Sequence, residues 1–267
     1  MSLLTLTNIH KTFEKGTVNE NHVLRGLDLN INQGDFISVI GGNGAGKSTL
    51  LNSIAGVVDI DQGDILLEEE SLRKEPVAKR AKKISRVFQD PRMGTATNLT
   101  IEENMAIAYF RGEKRSLFKK AVTDKDRAVF KTALSELGLG LEDRLKTDAA
   151  FLSGGQRQAL TLAMATLLRP KLLLLDEHTA ALDPKTSDMV MALTKKIVEE
   201  QRLTTLMITH NMEHAIAYGN RLVMLYHGKI VVDVRGKEKT SLTVAQLMDL
   251  FHKNSGEVLA DDALVLG

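Results

Sequence analysis

Gly41 to Thr49, reading Gly-Gly-Asn-Gly-Ala-Gly-Lys-Ser-Thr, constrain this chain more than any other stretch of it. Just before them, Phe36-Ile37-Ser38-Val39-Ile40 is a short apolar, β-branched run of the kind that forms a buried strand. After them, Leu50, Leu51, Ile54 and Val57 recur at helical spacing, and Gly56 is placed to end a helix. Strand, glycine-rich loop and helix are the context in which the G-x-x-x-x-G-K-[ST] spacing has a mechanism. Gly41, Gly46, Lys47 and Ser48 fill its fixed positions. Glycines let the main chain approach a phosphate closely. The N–H groups of the loop and the free donors of the helix N-terminus then point at the anion. Lys47 reaches the β- and γ-phosphates and the Ser48 hydroxyl ligates Mg²⁺. The stretch predicts a nucleotide site made of Gly41, Gly42, Asn43, Gly44, Ala45, Gly46, Lys47, Ser48 and Thr49.

Strand-like runs precede and follow this loop. Leu4, Leu6 and Ile9 alternate with polar residues, as do Leu27, Leu29 and Ile31. Asp61-Gln62-Gly63-Asp64 reads as a turn before a strand over Ile65 to Leu67. Arg73 to Lys83 reads as a basic surface helix opened by Pro76. Ile84 to Phe88 is strand-like. From Gln89 to Pro170 the character turns helical, with a capping box at Thr100 and Glu103 and a helix from about Asp124 to Leu137 carrying Val129, Ala133 and Leu134. Arg111 to Lys120 reads as a basic connector. Leu172 to Leu175 is a run of four leucines, as expected of a parallel strand buried on both faces. Asp183-Pro184 opens a helix with Met189, Val190, Leu193 and Ile197 on its core face. Strands over Thr204 to Ile208, Leu222 to Tyr226 and Ile230 to Val234 follow, then a final helix over Leu242 to Phe251. Strands alternating with helices imply an α/β fold with a parallel sheet around the nucleotide site and an inserted helical region.

Composition narrows the function classes. The formal net charge is +1, so no global basic field argues for nucleic acid. There are no cysteines, which removes disulfides, thiolate metal sites and thiol nucleophiles together. No apolar run approaches the ~20 residues of a membrane-spanning helix, so a membrane connection is expected to come through a partner.

Asp176 and Glu177 close the four-leucine strand, at the edge where ligands of open α/β sheets bind. A carboxylate following an apolar strand is the usual second Mg²⁺ contact in phosphate-loop enzymes, and Glu177 could then polarise a water lined up on the γ-phosphate. Capping of the next turn by the two acids is the structural alternative. Ser153-Gly154-Gly155 is a second small-residue helix start, readable as an anion site or as a plain junction with Ser153 as N-cap. Gln89 could reach Mg²⁺ or water, or form a turn with Asp90 and Pro91. His210, at a strand end, could contact a γ-phosphate oxygen or act locally. Phe13 reads as a core residue or as a ring stacked on a base.

In this order these elements resemble the nucleotide-binding domain of the ATP-binding cassette family, over roughly residues 3 to 235. Gly41 to Thr49 is similar to its Walker A loop and Leu172 to Asp176 to its Walker B strand. Glu177 falls on the catalytic glutamate, Gln89 on the Q-loop and His210 on the switch histidine. Leu152, Ser153, Gly154, Gly155 and Gln156 spell its signature sequence, and Ala181-Leu182-Asp183 matches its D-loop. Phe13 falls on the adenine-stacking position, where tyrosine is commoner. His178 stands where proline usually follows the glutamate, and His178-Thr179-Ala180-Ala181 resembles a subgroup of bacterial importer ATPases linked to aromatic amino-acid uptake.

The resemblance implies a P-loop NTPase core with a parallel sheet, an N-terminal antiparallel β subdomain and an inserted α-helical subdomain. It places the ATP-binding core at 1–89 and 170–236, the helical signature subdomain at 90–169, and a C-terminal helix and tail at 237–267. It implies ATP and Mg²⁺ as cofactors, with Ser48, Gln89 and Asp176 as metal contacts. Two such domains pair head to tail, as a homodimer or with a second cassette, and the signature sequence of one meets the ATP of the other. Expected partners are membrane permease subunits on other chains and, for an importer, a substrate-binding protein; nucleic acid is not expected. The expected location is cytoplasmic, on the inner face of the membrane. A non-transport cassette, such as an iron–sulfur cluster assembly ATPase, is the alternative. No Asn-Lys-x-Asp motif supports a regulatory GTPase, and no long coiled-coil insertion separates Gln89 from Leu152 as in a DNA-repair cassette.

Overall fold

The computed structural model describes residues 2–112 and 122–255. Most of the basic connector and the tail beyond residue 255 lie outside the described residues. The strands are β1 Ser2–Phe13, β2 Asn21–Asn32, β3 Phe36–Ile40, β4 Gln62–Leu67, β5 Glu70–Ser71, β6 Ile84–Val87, β7 Leu172–Asp176, β8 Thr204–Ile208, β9 Arg221–Tyr226 and β10 Lys229–Arg235. The helices are α1 Lys47–Ala55, α2 Val77–Arg80, α3 Ile101–Tyr109, α4 Asp124–Ser135, α5 Gly154–Thr166, α6 Pro184–Gln201, α7 Met212–Ala217, α8 Gly236–Thr240 and α9 Val244–Ser255. The chain divides into two compact units, Met1–Arg80 with Leu203–Gly267, and Ala81–Arg202. Among the described residues no helix is long and apolar enough to cross a membrane.

In the first unit, β2, β1, β4 and β5 form an antiparallel sheet in that order. Strands β8, β3 and β9 are parallel neighbours, and β10 returns antiparallel beside β9. All five residues of β3 are buried, as a strand covered on both faces requires. Leu247 and Phe251 of α9 complete a core with Met212, Leu222, Met224 and Val234. Each such side chain contributes about 1.5–3 kcal/mol by leaving water. Lys239 of α8 is fully buried and donates from Nζ to the carbonyls of Ile216, Tyr218 and Gly219, capping the end of α7. Burial lowers this ammonium to about 8.

The second unit carries the parallel pair β6–β7 and helices α3 to α6. Leu172 to Leu175 are all fully buried. Capping boxes open α3 at Thr100 and α4 at Thr123. Glu102 is 5% exposed; burial raises its carboxyl, and bonds from Arg127 and Lys146 more than reverse this, holding it below the usual range.

Several local expectations are corrected. Gln62, Gly63 and Asp64 belong to β4 rather than to a turn. Gly63 has φ +89 and sits where a Cβ would collide with the carbonyls of Thr7 and Asn8, so the glycine marks a close approach of two strands. The basic stretch is not a surface helix: α2 has four residues, and Arg80 is 4% exposed. Its guanidinium donates to the carbonyls of Ser53 and Ile54 at 2.8 and 3.1 Å, adding to the Gly56 N–H bond that Ser53 already accepts at the end of α1. Met189 is exposed, and Met191 and Val198 are buried on α6 instead. Val129 and Ala133 are only half-buried on α4, where Phe130 and Leu134 carry the core contact. The last helix begins at Val244, because Thr243 and Gln246 cap it, and α8 precedes it.

Candidate nucleotide site

In the first unit, β3 delivers the chain into the phosphate loop and α1 leads it out. Gly41 takes φ +150, with a Cβ position that would strike the Leu225 carbonyl; Gly46 takes φ +103 against Leu24. Side chains at these positions would push the loop off its strands. Gly46 is also the N-cap of α1, and no side chain caps the helix there. A helix start whose N-cap has no side chain is one that an anion can complete. Lys47 is 6% exposed, and its Nζ donates to the carbonyls of Gly41 at 2.6 Å and Gly42 at 3.1 Å. The ammonium is thus drawn back over the loop, next to where a polyphosphate would lie. From the other side, the turn between β9 and β10 supports the loop: Gly228 N donates to the Ala45 carbonyl at 3.1 Å.

Asn43, Gly44 and Ser48 are exposed on this loop. Phe13, at the end of β1, is 37% exposed, with the Lys11 Nζ 5.3 Å from its ring centroid. That removes it from the core and leaves a ring face available. His210 is exposed just beyond β8, whose ladder continues through Thr209 N to the Val39 carbonyl at 3.1 Å. Asn211 then caps α7 through His214 N at 2.8 Å.

The second unit holds the remaining positions. Asp176 closes β7 and is bonded by Arg86 of β6. Glu177 follows with φ +48, a left-handed conformation that costs a non-glycine residue about 1–2 kcal/mol. His178 is 2% exposed, and its Nε2 lies 3.0 Å from Thr194 Oγ1. The Thr194 hydroxyl already donates to the Val190 carbonyl at 2.8 Å, so His178 Nε2 carries the proton and donates to it. The residue after the strained Glu177 is thereby tied to α6. Gln89 is exposed beyond β6, and Asp90 caps a short 3-10 turn through Arg92 N at 2.9 Å.

The signature stretch opens α5 with a capping box. Ser153 Oγ accepts from Gln156 N, and Gln156 Oε1 accepts from Ser153 N, each at 3.2 Å. Gly155 lies against α6, where a Cβ would collide with the Thr186 methyl, whereas Gly154 is exposed and has only Leu182 in ordinary contact. Asp183 caps α6 by accepting from Thr186 N at 3.1 Å, and the hydrogen bonds from Thr186 hold its carboxyl below the usual range.

Among the described residues no three His, Asp or Glu side chains gather as a metal cage. The donors that Ser48, Gln89 and Asp176 offer are hydroxyl, amide and carboxylate oxygens. Each is a hard donor of the type Mg²⁺ takes, the first in one unit and the other two in the second. Three residues escaped sequence reasoning: Arg86, Arg80 and Gly228. A charge inside the apolar run Ile84 to Phe88 was the signal for the first; the other two act through partners distant in sequence.

The model of a family described as "ABC transporter" matches residues 24–180. The tyrosine transport ATP-binding protein of Clostridioides difficile is 45% identical over 249 residues, 93% of this chain and 98% of that protein. A phosphonates import ATP-binding protein of Lactobacillus delbrueckii is 33% identical, over 86% of this chain and 89% of that one. Among solved structures, the ATP-binding cassette MJ0796, dimeric and bound to ADP and Pi, superposes with a TM-score of 0.73 at 29% identity, covering 87% of this chain and 98% of that one. The ADP form of the cassette MJ1267 gives 0.75 at 28% identity, covering 94% and 98%. The chain belongs to the ABC transporter family. It is an ATPase, the ATP-hydrolysing subunit of a transporter of the import kind.

Proposed function

We propose that this subunit drives uptake of an aromatic amino acid, tyrosine foremost, through membrane subunits on other chains. The observation that carries the substrate is the 45% identity to a tyrosine transport ATP-binding protein along 98% of its length. In this reading Phe13 stacks on adenine, the loop amides of Gly42 to Thr49 cradle the phosphates, and Lys47 exchanges the Gly41 and Gly42 carbonyls for phosphate oxygens. Glu177 accepts the proton of the attacking water, and His210 contacts the γ-phosphate. Ser48, Gln89 and Asp176 would hold Mg²⁺, which neutralises phosphate charge when bound. Leu152 to Gln156 face the nucleotide of a second cassette, beside Asp183 of the D-loop.

Residues 90–169 act as the helical subdomain that passes movement to the permease, and a substrate-binding protein delivers the amino acid. The subunit then works on the cytoplasmic face of the membrane. Disrupting its gene and measuring uptake of labelled tyrosine, methionine and a phosphonate tests the substrate. Loss of tyrosine uptake alone, restored by the wild-type gene and not by Lys47→Ala, is the expected result. Unchanged tyrosine uptake with loss of either other solute would replace the proposed substrate.

A further inference from the structure

Arg86 is a charged residue in a strand whose neighbours Ser85 and Val87 are buried. Its Nη2 donates to Asp176 Oδ2, and the two side chains are only 15% and 14% exposed. Its guanidinium carbon lies 4.8 Å from the Phe88 ring centroid. Alternation along the chain brings residues 86 and 88 to one side, so the ring backs the guanidinium against the carboxylate. Such an enclosed pair is a weak source of stability, because removing two ions from water offsets their attraction and apolar residues of similar volume do as well. Its place, on the carboxylate that ends β7, suggests a different use.

We propose that Arg86 is a resident counter-cation for Asp176, neutralising this carboxylate when no metal is present and competing with Mg²⁺ for it. The inference rests on the reading of Asp176 as a Mg²⁺ ligand. In that reading the carboxylate repels the polyphosphate whose metal it holds, and a guanidinium bonded to it cancels much of the repulsion. Mg²⁺ demands near-octahedral oxygen ligands at close range. It therefore meets a carboxylate one of whose oxygens, Oδ2, already accepts from Arg86. Arg86 strengthens metal-free nucleotide binding and reduces what Mg²⁺ adds to it. Arg86 is a positioning residue in this scheme; it touches the metal's ligand, not the reacting atoms.

The test is ADP affinity by titration calorimetry, with Mg²⁺ and with EDTA, so that no hydrolysis enters. The readout is the ratio of the two dissociation constants. In Arg86→Met, and in Arg86→Gln as a second variant should the first fold poorly, metal-free binding weakens and the ratio rises about tenfold. Arg86→Lys keeps a cation near Asp176 and returns the ratio toward wild type. In Asp176→Asn the ratio falls, because a carboxylate ligand of the metal is lost. A ratio unchanged or lowered in both Arg86→Met and Arg86→Gln, with Asp176→Asn behaving as expected, overturns the counter-cation alone. A ratio unaffected by Asp176→Asn overturns the metal reading beneath it.

Discussion

Helices α1 and α5 both open on glycines at the end of a loop, yet their first turns are finished in opposite ways. At α1 the N-cap is Gly46 in a left-handed conformation, a residue with no side chain to cap the helix. At α5 the N-cap is Ser153 in an extended conformation, and a reciprocal Ser153–Gln156 box satisfies two of the donors. The glycines differ too. Gly41 and Gly46 are there for their backbone angles and for neighbours that a Cβ would strike. Gly155 is there because α6 leaves no room, while Gly154 faces outward. One helix start lacks a side-chain cap, as the proposed anion site of its own unit requires. The other is stabilised by its own capping box and exposes a small residue, as the proposed site shared between two copies requires.

Removing the chemistry while keeping both helix starts gives the largest expected effect. Glu177→Gln should slow ATP hydrolysis by roughly two orders of magnitude or more, with ADP affinity preserved. An ATP-bound dimer should then accumulate on gel filtration, and wild-type turnover in the purified variant would remove Glu177 from the mechanism. Next comes Gly154→Asp, which sets a carboxylate at the exposed start of α5. ATP binding through Lys47 should persist while dimerisation fails and hydrolysis drops by about 10². Full ATPase activity would mean that α5 meets no phosphate.

Packing separates the two signature glycines further. Gly155→Ala must displace Thr186 and should cost about 1–3 kcal/mol in a urea melt, whereas Gly154→Ala should stay within about 0.5 kcal/mol. Equal losses at the two positions would mean that both glycines serve the fold alone.

The open helix start was legible because its signal is local: a buried strand, glycines at fixed spacing and a helical pattern lie within about twenty residues. Asp183-Pro184 and Thr100 with Glu103 were legible for the same reason, since a cap and its partner are three residues apart. Arg80 was not. It lies in a basic run that reads as solvated surface, yet its partners are the Ser53 and Ile54 carbonyls in the last turn of α1. Lys239 repeats the case on α7. Carbonyls at helix ends leave no mark in composition, so a buried cation that serves them cannot be told from a surface one. Gly63 was misread because glycine marks turns and close strand approaches alike. For the signature stretch, residue types allowed an N-cap or an anion site. The capping box is now visible, and the two roles are compatible, because exposed Gly154 remains beside it.

The smallest expected effect probes that box. Ser153→Ala removes the acceptor for Gln156 N and should cost about 0.5–2 kcal/mol of stability, the range of N-cap losses. ADP affinity of the isolated subunit should not change, because the loop from Gly41 to Thr49 and its Lys47 contacts lie in the other unit. The reverse transplant is forbidden by geometry. A serine at Gly46 would have to adopt φ +103 with its Cβ 2.9 Å from a Leu24 methyl, so a cap cannot be added where an anion is to bind. Calorimetric titration of ADP into Ser153→Ala, beside its melting curve, reads both quantities. Should affinity fall tenfold while stability holds, α1 and α5 would be serving one nucleotide within a single chain, and the contrast between an own site and a shared one would be lost.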